Sequence, residues 1–335
     1  MTVFETVLAR GPRFIIEQAQ QLGVDEEDLL RAARLGPEEI SDPDARIPVA
    51  KLADLWRAVL RRLPERGLGV RFGMSFDIRR SGLVGYIVMN SPDLRTAIEQ
   101  IVRFSRILNE GVRPTLVTEG DRGNLTWLPS PFLRPYPEVA DWGLAVLLTI
   151  LRQATGVAFE PTEVWFPYPK PGSVPAEHRS HFGRGLRFDR GRLGLVLSRG
   201  QLELPVAAAD TELGIYLERH AEQVLQGLSS SGELVDKVRG RIWQVLSDHR
   251  PSVSRTAASL GMSSRSLQRR LRQQGTSFGA LRDEMLRTLA TSLLHDRGLA
   301  IDEISFLLGY SEPSTFYRAF RRWERVSPVR YRAAG

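Results

Sequence analysis

The chain contains no cysteine, and it has only five histidines among its 335 residues. The absence of cysteine excludes disulfide bonds, thiolate nucleophiles and thiolate metal sites, and it favours a reducing compartment. Long apolar runs are also missing, because no window approaches the ~18 consecutive apolar residues of a membrane-spanning helix. The first residues lack the basic and apolar regions of a secretory signal. We therefore expect a cytoplasmic protein without a membrane partner.

No group of residues has the spacing of a catalytic or metal site. His178 and His181 are three positions apart and could share a helix face, but no third zinc ligand lies near them in the chain. Residues 71–74 (RFGM) lack the glycine and lysine pattern of a phosphate-binding loop. The pair Arg79 and Arg80 is more typical of an exposed surface than of an anion site. The sequence therefore predicts no enzyme, no cofactor and no metal.

The excess positive charge is concentrated in the last third of the chain. The net charge is +7, and residues 233–335 contain 18 basic side chains against 10 acidic ones. Residues 1–232 are close to neutral, with 28 basic and 29 acidic side chains. This distribution is typical of a polyanion-binding module attached to a neutral one. Arginine provides 17 of the 18 basic side chains. Its planar guanidinium group can donate two hydrogen bonds at once to a phosphate or to the edge of a guanine base. Membrane surfaces are polyanions as well, so charge alone does not decide the partner.

Length and composition predict two domains. A chain of 335 residues exceeds the ~100–200 residues of a typical domain. The small, polar segment 228–232 (LSSSG) falls where the charge balance changes. We therefore place a first domain at 1–228, a linker at 229–232 and a second domain at 233–335.

The first domain mixes helical and strand patterns, which predicts an α+β fold. Residues 90–92 (NSP) are typical of a helix cap followed by proline in the first turn. Residues 120–123 (GDRG) have the composition of a hairpin turn. Helices are predicted over 14–30, 49–63, 94–107, 138–154 and 211–228, and strands over 113–119, 124–128, 164–166 and 186–197. On the helix over 138–154, the side chains expected on the buried side are Trp142, Leu147, Leu148 and Leu151.

The second domain has helical periodicity throughout, and residues 252–271 have the spacing of a helix-turn-helix. Ala257 is small enough for a close helix crossing, and Gly261 permits a left-handed turn residue. Ser263 can cap the second helix. These residues predict one DNA-reading unit, although a single short helix pair with a central glycine also occurs in many protein cores.

The same plan recurs at residues 301–320, where Gly309 and Ser311 take the places of Gly261 and Ser263. Between the two units, residues 277–295 carry an apolar stripe at helical spacing. The stripe consists of Phe278, Leu281, Met285, Leu289 and Leu293. The sequence thus predicts an all-α domain with two helix-turn-helix units joined by a long helix.

From about Gly232 to Arg332 the sequence resembles the AraC/XylS family of bacterial transcription regulators. The resemblance is carried by 264–271 (SRSLQRRL), Arg287, Ala290, 293–294 (LL), Ile304, 308–310 (LGY), 314–323 (STFYRAFRRW), 326–328 (VSP) and 331–332 (YR). Ser305 stands where the family usually has alanine, and Arg325 where glycine is common. We expect the small serine to be harmless and the arginine to alter the final turn.

The resemblance implies that two recognition helices, at about 264–273 and 312–323, enter adjacent major grooves about 34 Å apart. The positions that match the family's base-reading sites are Arg265, Gln268, Arg269, Ser314, Thr315 and Arg318. Those expected to contact phosphates are Arg270, Arg272, Arg321 and Arg322. Arginine can bond both major-groove acceptors of guanine, and glutamine can bond adenine.

Residues 15–205 resemble the arabinose-binding-type N-terminal domain found in this family. The matching segments are 45–48 (ARIP), 72–73 (FG), 82–86 (GLVGY) and 186–189 (LRFD). The resemblance implies a sensing and dimerising domain, a small-molecule effector of undefined identity, and a homodimer. The expected partners are promoter DNA, the effector and, if the protein is an activator, RNA polymerase. The sequence leaves activator or repressor open.

Two alternative functions differ in class from an effector-responsive regulator. A DNA-acting enzyme could carry a reader domain of this type, but alkyl transfer to cysteine is impossible here and no other catalytic set occurs. An architectural DNA-binding protein would need no ligand, and it would differ from a regulator in that no small molecule stabilises residues 1–228.

Overall fold

The computed structural model of the chain describes residues 5–229, 233–246, 251–295 and 297–334. The chain forms two compact units, Met1–Leu228 and Ser229–Gly335. The first combines helices with sheets, and the second is helical throughout its described residues. The predicted α+β and helical architectures are therefore confirmed. Of the expected linker 229–232, Ser229 ends a helix, and residues 230–232 lie outside the described residues. None of the described helices is both long enough and apolar enough to cross a bilayer.

The strands of the first unit form two sheets. In the smaller one, β1 (Thr6–Leu8) and β2 (Arg46–Pro48) pair antiparallel. The larger sheet has the order β3-β4-β7-β5-β6, in which β5 and β6 run parallel and the other neighbours antiparallel. Its strands are β3 (Thr115–Glu119), β4 (Arg122–Trp127), β5 (Glu163–Trp165), β6 (Leu186–Arg187) and β7 (Leu193–Ser198).

Two strand predictions are corrected by backbone turns. Glu119 pairs with Arg122, so the hairpin turn contains two residues and not the predicted four. The strand predicted over 186–197 is two strands, β6 and β7, because the chain reverses between them. Asp189 and Gly191 lie in this reversal with φ of 57° and 65°, a left-handed backbone that is incompatible with a continuous strand.

Helix α8 lies in the main core of the first unit, where it packs with the larger sheet. The helix bounds in this unit are α1 (Arg10–Gln21), α2 (Glu26–Ala33), α3 (Pro37–Ser41), α4 (Val49–Arg62), α5 (Leu68–Met74), α6 (Gly82–Met89), α7 (Leu94–Leu108), α8 (Pro137–Thr155), α9 (Ala176–Phe182), α10 (Arg199–Leu202) and α11 (Thr211–Ser229), with a 3₁₀ turn at Ile78–Ser81. Leu144, Leu148 and Leu151 of α8 are fully buried in the main core with strand residues such as Leu195. This core fixes α8 against the sheet.

The close contact between α5 and α8 depends on glycine. A Cβ atom at Gly69 would lie 1.9 Å from the carbonyl oxygen of Glu138, and one at Gly73 would lie 2.4 Å from the Cβ of Ala145. Any larger residue would push α5 away from α8. The Phe72-Gly73 segment therefore has a packing role.

The N-cap predicted for α7 is wrong. The cap is Asp93, whose side-chain oxygen accepts a hydrogen bond from the backbone N–H of Thr96 at 2.7 Å. Pro92 therefore precedes the cap and does not occupy the first helical turn. An aspartate here adds a negative charge at the positive end of the helix, which favours this later start.

His178 and His181 are buried and have structural contacts. His178 Nε2 lies 3.0 Å from Asp141 Oδ2. His181 Nε2 lies 3.2 Å from the Ala145 carbonyl oxygen, and its Nδ1 lies 3.3 Å from Arg152 Nη1. Because Nε2 must donate to the carbonyl and Nδ1 must accept from the guanidinium, His181 is the neutral tautomer. Burial lowers its pKa to about 4 against the smaller opposing effect of the bond to the Ala145 carbonyl, and the Arg152 charge adds a still smaller lowering.

We predict that His181 makes stability decrease as the pH falls from 6.5 to 4. In this window the unfolded chain binds a proton on His181 and the folded chain does not, so protons favour unfolding, by up to roughly 3 kcal/mol. Urea unfolding of the full-length wild type and of His181→Gln at several pH values measures the difference. The variant, which cannot titrate, should lose less stability over this range. Parallel pH profiles for the two proteins would show that His181 is not buried as a neutral group.

The second unit is built from short helices around one long helix, α15. Their bounds are α12 (Glu233–Leu246), α13 (Val253–Ser259), α14 (Ser264–Gln273), α15 (Phe278–Leu294), α16 (Ile301–Leu307), α17 (Pro313–Glu324) and α18 (Pro328–Ala334). The predicted stripe of α15, which includes Met285 and Leu289, is buried. Helix α15 contacts α12, α16, α17 and α18. The apolar spacing of this segment is therefore explained by core packing.

The pairs α13–α14 and α16–α17 share a glycine turn but begin their second helices differently. Gly261 and Gly309 have φ of 65° and 78°. Ser263 caps α14 by accepting from the N–H of Ser266. In the second pair the N-cap is Glu312 and not the predicted Ser311. Pro313 occupies the first helical turn, and it forces the preceding residue into an extended conformation.

Each departure from the family pattern has a local cost. One leaves a buried hydroxyl without a hydrogen-bond partner, and the other strains the backbone. Ser305 is fully buried, and its hydroxyl has no hydrogen-bond partner among the described residues. The small serine fits the space at this position, but a buried unpaired hydroxyl costs stability. Arg325 ends α17 with φ of 63°, a left-handed conformation that a side chain disfavours. This finding agrees with the expected effect on the final turn.

We predict that Ser305→Ala and Arg325→Gly each stabilise the second unit. Removing the unpaired hydroxyl should add about 1 kcal/mol to the free energy of unfolding. Glycine at 325 should add about 0.5–1 kcal/mol, because relief of the left-handed strain exceeds the entropic cost of glycine. Denaturant unfolding of the full-length variants provides the measurement. Ser311→Ala is the matched control, since Ser311 is exposed and does not cap α17. A loss of stability in Ser305→Ala would show that its hydroxyl has a partner.

Candidate nucleic-acid interface

Helix α14 presents one polar face and one apolar face. Leu267 and Leu271 are fully buried. Arg265, Gln268 and Arg269 are exposed and recur at helical spacing on the opposite side. The structure thus brings the three predicted base-reading residues of the first helix together on one accessible face.

Arg272 lies on the same exposed face, seven residues after Arg265. At 1.5 Å per residue this places it about 10 Å further along the helix axis. Arg270 is also exposed but lies to the side of this face, nearer the apolar one. The two phosphate candidates on α14 therefore occupy the end and the flank of the polar face.

Helix α17 has the same division between a buried and an exposed side. Phe316 and Phe320 are fully buried, as their spacing indicates. Ser314, Arg318 and Arg321 follow one another at intervals of four and three on the exposed side. Thr315, also predicted to read bases, is partly buried at the edge of this face.

Several candidates on α17 have contacts within the chain. The Ser314 hydroxyl donates to Glu312 Oε2 at 3.4 Å. Arg318 Nη2 donates to Thr315 Oγ1 at 3.5 Å. These long hydrogen bonds lie at the surface, and the second one holds two of the predicted base-reading side chains, Thr315 and Arg318, close to each other.

Ion pairing distinguishes the two consecutive arginines of α17. Arg322 Nη2 lies 2.6 Å from Asp283 Oδ2, which belongs to α15. Arg321 has no ion pair among the described residues. The sequence did not separate these two residues, because Asp283 is distant in the chain. Arg287 is similarly paired with Glu324 at 2.6 Å, so this residue of the family pattern connects α15 to α17.

Helix α14 carries the most uniform positive charge. It contains four arginines and no acidic residue. None of these four arginines forms an ion pair with another described residue. Exposed, unpaired guanidinium groups on one helix produce a positive potential that suits a polyanion. Among the described residues, no group of three or more His, Asp or Glu side chains could hold a metal ion.

Two family models match the chain. The arabinose-binding domain of AraC transcription regulators, N-terminal part, matches residues 23–206, which is more than half of the chain. A helix-turn-helix domain matches residues 256–334. The second match includes α14 and α17 and all the side chains of the candidate interface.

Curated relatives align with nearly the whole chain. The ornithine utilization regulator of Pseudomonas aeruginosa is 29% identical over 321 residues, covering 96% of this chain and 94% of its own length. The transcriptional regulator VirS of Mycobacterium tuberculosis is 27% identical over 320 residues, covering 94% and 93%. The crystal structure of the transcriptional regulator CdpR from Pseudomonas aeruginosa aligns with 96% of this chain and 98% of its own at 20% identity, with a TM-score of 0.45.

These curated relatives are regulators and not enzymes. The prediction of a DNA-binding regulator is confirmed at the level of the family, as is the prediction of two domains of these types. The chain belongs to the AraC family of helix-turn-helix transcription regulators, with an N-terminal domain of the arabinose-binding type.

Proposed function

We propose that the chain is an effector-responsive regulator that reads promoter DNA with two helix-turn-helix units joined by α15. The observation that carries the proposal is the division of α14 and α17 into a buried apolar side and an exposed side with arginines. Both helices follow a positive-φ glycine turn after a shorter helix. Their exposed faces would lie in adjacent major grooves, as the α14 and α17 equivalents do in the resembling family.

The base-reading and phosphate roles follow from position along each helix. In helix-turn-helix proteins the N-terminal residues of the second helix contact base edges. We assign Arg265, Gln268 and Arg269 to base reading on α14, and Arg270 and Arg272 to phosphates. On α17 the corresponding base-reading residues are Ser314, Thr315 and Arg318, and the phosphate residues are Arg321 and Arg322.

A cavity in the first unit supports modulation by a small molecule. It measures about 200 Å³ and lies among residues 81–150. Concave, mostly apolar spaces of this kind are the usual sites of small ligands. A ligand that binds one conformation of the unit more tightly than another would shift the protein between states of different DNA affinity.

We also propose that the first unit mediates homodimerisation. Helix α11 exposes Ile215 and Tyr216, at 53% and 70% of their surface. Large exposed apolar side chains favour association. The experiment is sedimentation velocity of the full-length protein and of the double variant Ile215→Glu and Tyr216→Glu. A dimeric wild type and a monomeric variant would support this face, and a wild-type monomer at micromolar concentration would contradict it.

The experiment that tests DNA reading is selection of bound duplexes from a random pool by the full-length protein at near-physiological salt. Two short sequence blocks about one helical turn, ~34 Å, apart are expected. Arg269→Ala should relax one base position at a cost of about 1–3 kcal/mol. Arg272→Ala should weaken binding evenly across sequences. An unchanged sequence preference in Arg269→Ala would remove this residue from the base-reading set, and non-specific binding by the wild type would contradict the proposal.

The neighbouring arginines of α17 provide a matched pair for phosphate contact. Arg321→Ala should reduce the slope of log affinity against log salt by about 1, because one counterion-releasing contact is lost. Arg322→Ala should reduce the slope less, since Arg322 is already paired with Asp283. Binding titrations to one duplex at several salt concentrations measure both slopes. Equal reductions would show that Arg322 leaves Asp283 when DNA binds.

A further inference from the structure

The cavity of the first unit has an uncharged lining. Its walls come from the end of the 3₁₀ turn, α6, α7, the loop after α7, β4 and α8. The lining contains aliphatic side chains, such as Val84, Ile101 and Leu147, and the aromatic rings of Trp127 and Trp142. No residue of the lining is charged, and all of the lining lies in the part of the chain that the structure describes.

The polar atoms of the lining are few, and most have contacts within the chain. The Ser105 hydroxyl donates to the Val102 carbonyl at 3.1 Å, and Asn109 Oδ1 accepts from the Gly111 N–H at 2.8 Å. The indole N–H of Trp142 is buried and has no hydrogen-bond partner among the described residues. This nitrogen has almost no accessible surface and so lies beyond the reach of a molecule in the cavity, whose accessible lining is predominantly apolar.

This chemistry disfavours strongly polar ligands in the cavity. A sugar would bury several hydroxyl groups, each of which needs a hydrogen-bond partner. An amino acid such as ornithine would bury charged groups without a countercharge, which is still less favourable. The names of the matching family and of a relative, which mention arabinose and ornithine, therefore do not describe a ligand that this cavity suits.

We propose that the cavity binds an uncharged, mainly hydrocarbon molecule, such as a medium-chain aliphatic alcohol, because its lining is apolar and carries no charge. This assignment rests on the proposed effector-responsive function and defines its ligand class. The size follows from the volume, because an apolar cavity of about 150 Å³ holds benzene. A cavity of about 200 Å³ suits a ligand of about eight to ten non-hydrogen atoms.

The packing of α6 and α7 connects this cavity to the end of the first unit. Both helices line the cavity, and both also contribute to a second apolar cluster that contains Ile87, Phe104 and Ala221. Ala221 belongs to α11, the last helix before residues 230–232. Arg103 of α7 also pairs with Glu218 and Glu222 of α11. A ligand that alters the packing of α6 and α7 therefore affects α11 directly.

Gly143 offers a way to fill the cavity without disturbing the fold. It lines the cavity on α8, and a Cβ atom added there would meet no atom within 4 Å. Gly143→Leu would occupy the space with a side chain that favours helix formation. Gly143→Ala is the matched control, because it makes the same backbone change and leaves most of the cavity free. Gly85 cannot serve this purpose, since its Cβ would lie 2.2 Å from the Ile78 carbonyl oxygen.

The test is calorimetric titration and thermal unfolding of the full-length protein with 1-octanol, octanoate, L-arabinose and L-ornithine, each used alone. We expect 1-octanol to bind and to raise Tm by about 3–5 °C at about ten times its Kd. Octanoate, which has a similar chain and a charge, should bind more weakly, and the sugar and the amino acid should not bind. Gly143→Ala should retain octanol binding, whereas Gly143→Leu should lose at least about tenfold in affinity.

Three results would overturn the assignment. Tighter binding of octanoate, arabinose or ornithine than of octanol would show that the ligand class is wrong. Equal octanol binding by Gly143→Leu and the wild type would show that the alcohol binds elsewhere. If none of the four compounds binds, the cavity is not a ligand site of this class. Selection of DNA by the same preparation tests the reader function separately, so either proposal can fail without the other.

Hydrogen exchange tests the connection to α11. With saturating 1-octanol, amide exchange in α6, α7 and α11 should slow in the wild type and in Gly143→Ala, and should not change in Gly143→Leu. Slower exchange in α6 and α7 with no change in α11 would overturn the proposed connection and leave the ligand assignment intact.

Discussion

The burial of α8 on more than one side is the constraint on which the first unit depends. Its leucines enter the main core with the larger sheet, and a different side contacts α5 through Gly69 and Gly73. A helix that is apolar over most of its surface is stable only when other elements cover it. The sheet, α5 and α9 all contact α8. The remaining part of its surface, with Trp142 and Gly143, is covered incompletely, and the cavity lies there.

In the second unit, helices α14 and α17 each have a buried apolar side and an exposed polar side, and the exposed side is the proposed binding surface. Each second helix of a pair buries a hydrophobic side, which fixes its rotation, and the polar side is left to solvent as a consequence. Leu267 and Leu271 thus determine where Arg265 and Arg269 lie. The energetic cost of placing several arginines together is small when they are exposed, because solvent screens their repulsion. Such a surface binds a polyanion favourably, because the counterions of the polyanion are released when the arginines neutralise its charges.

Two departures from the family pattern lower the stability of this unit. Ser305 places an unpaired hydroxyl in the core, and Arg325 adopts the backbone conformation of the glycine that is common at its position. The fold tolerates both because the aromatic core around Phe316 and Phe320 and the buried stripe of α15 supply most of the packing. Neither position belongs to the exposed faces of α14 or α17. The cost in stability is therefore separate from the residues proposed to contact DNA.

The sequence by itself determined what depends on neighbours along the chain. Apolar periodicity, the glycine turns and the charge distribution were sufficient for the α+β and helical units, and the family resemblance supplied the bounds of α14 and the choice of Arg269. The sequence did not determine the N-caps Asp93 and Glu312, because several residues near each helix start could serve. The tertiary structure alone decided which arginine is paired, since Asp283 and Arg322 meet only when α15 and α17 pack. It also decided the uncharged cavity, whose lining comes from elements far apart in the chain. Local patterns are set by backbone geometry over a few residues, whereas ion pairs and cavities depend on contacts between distant segments.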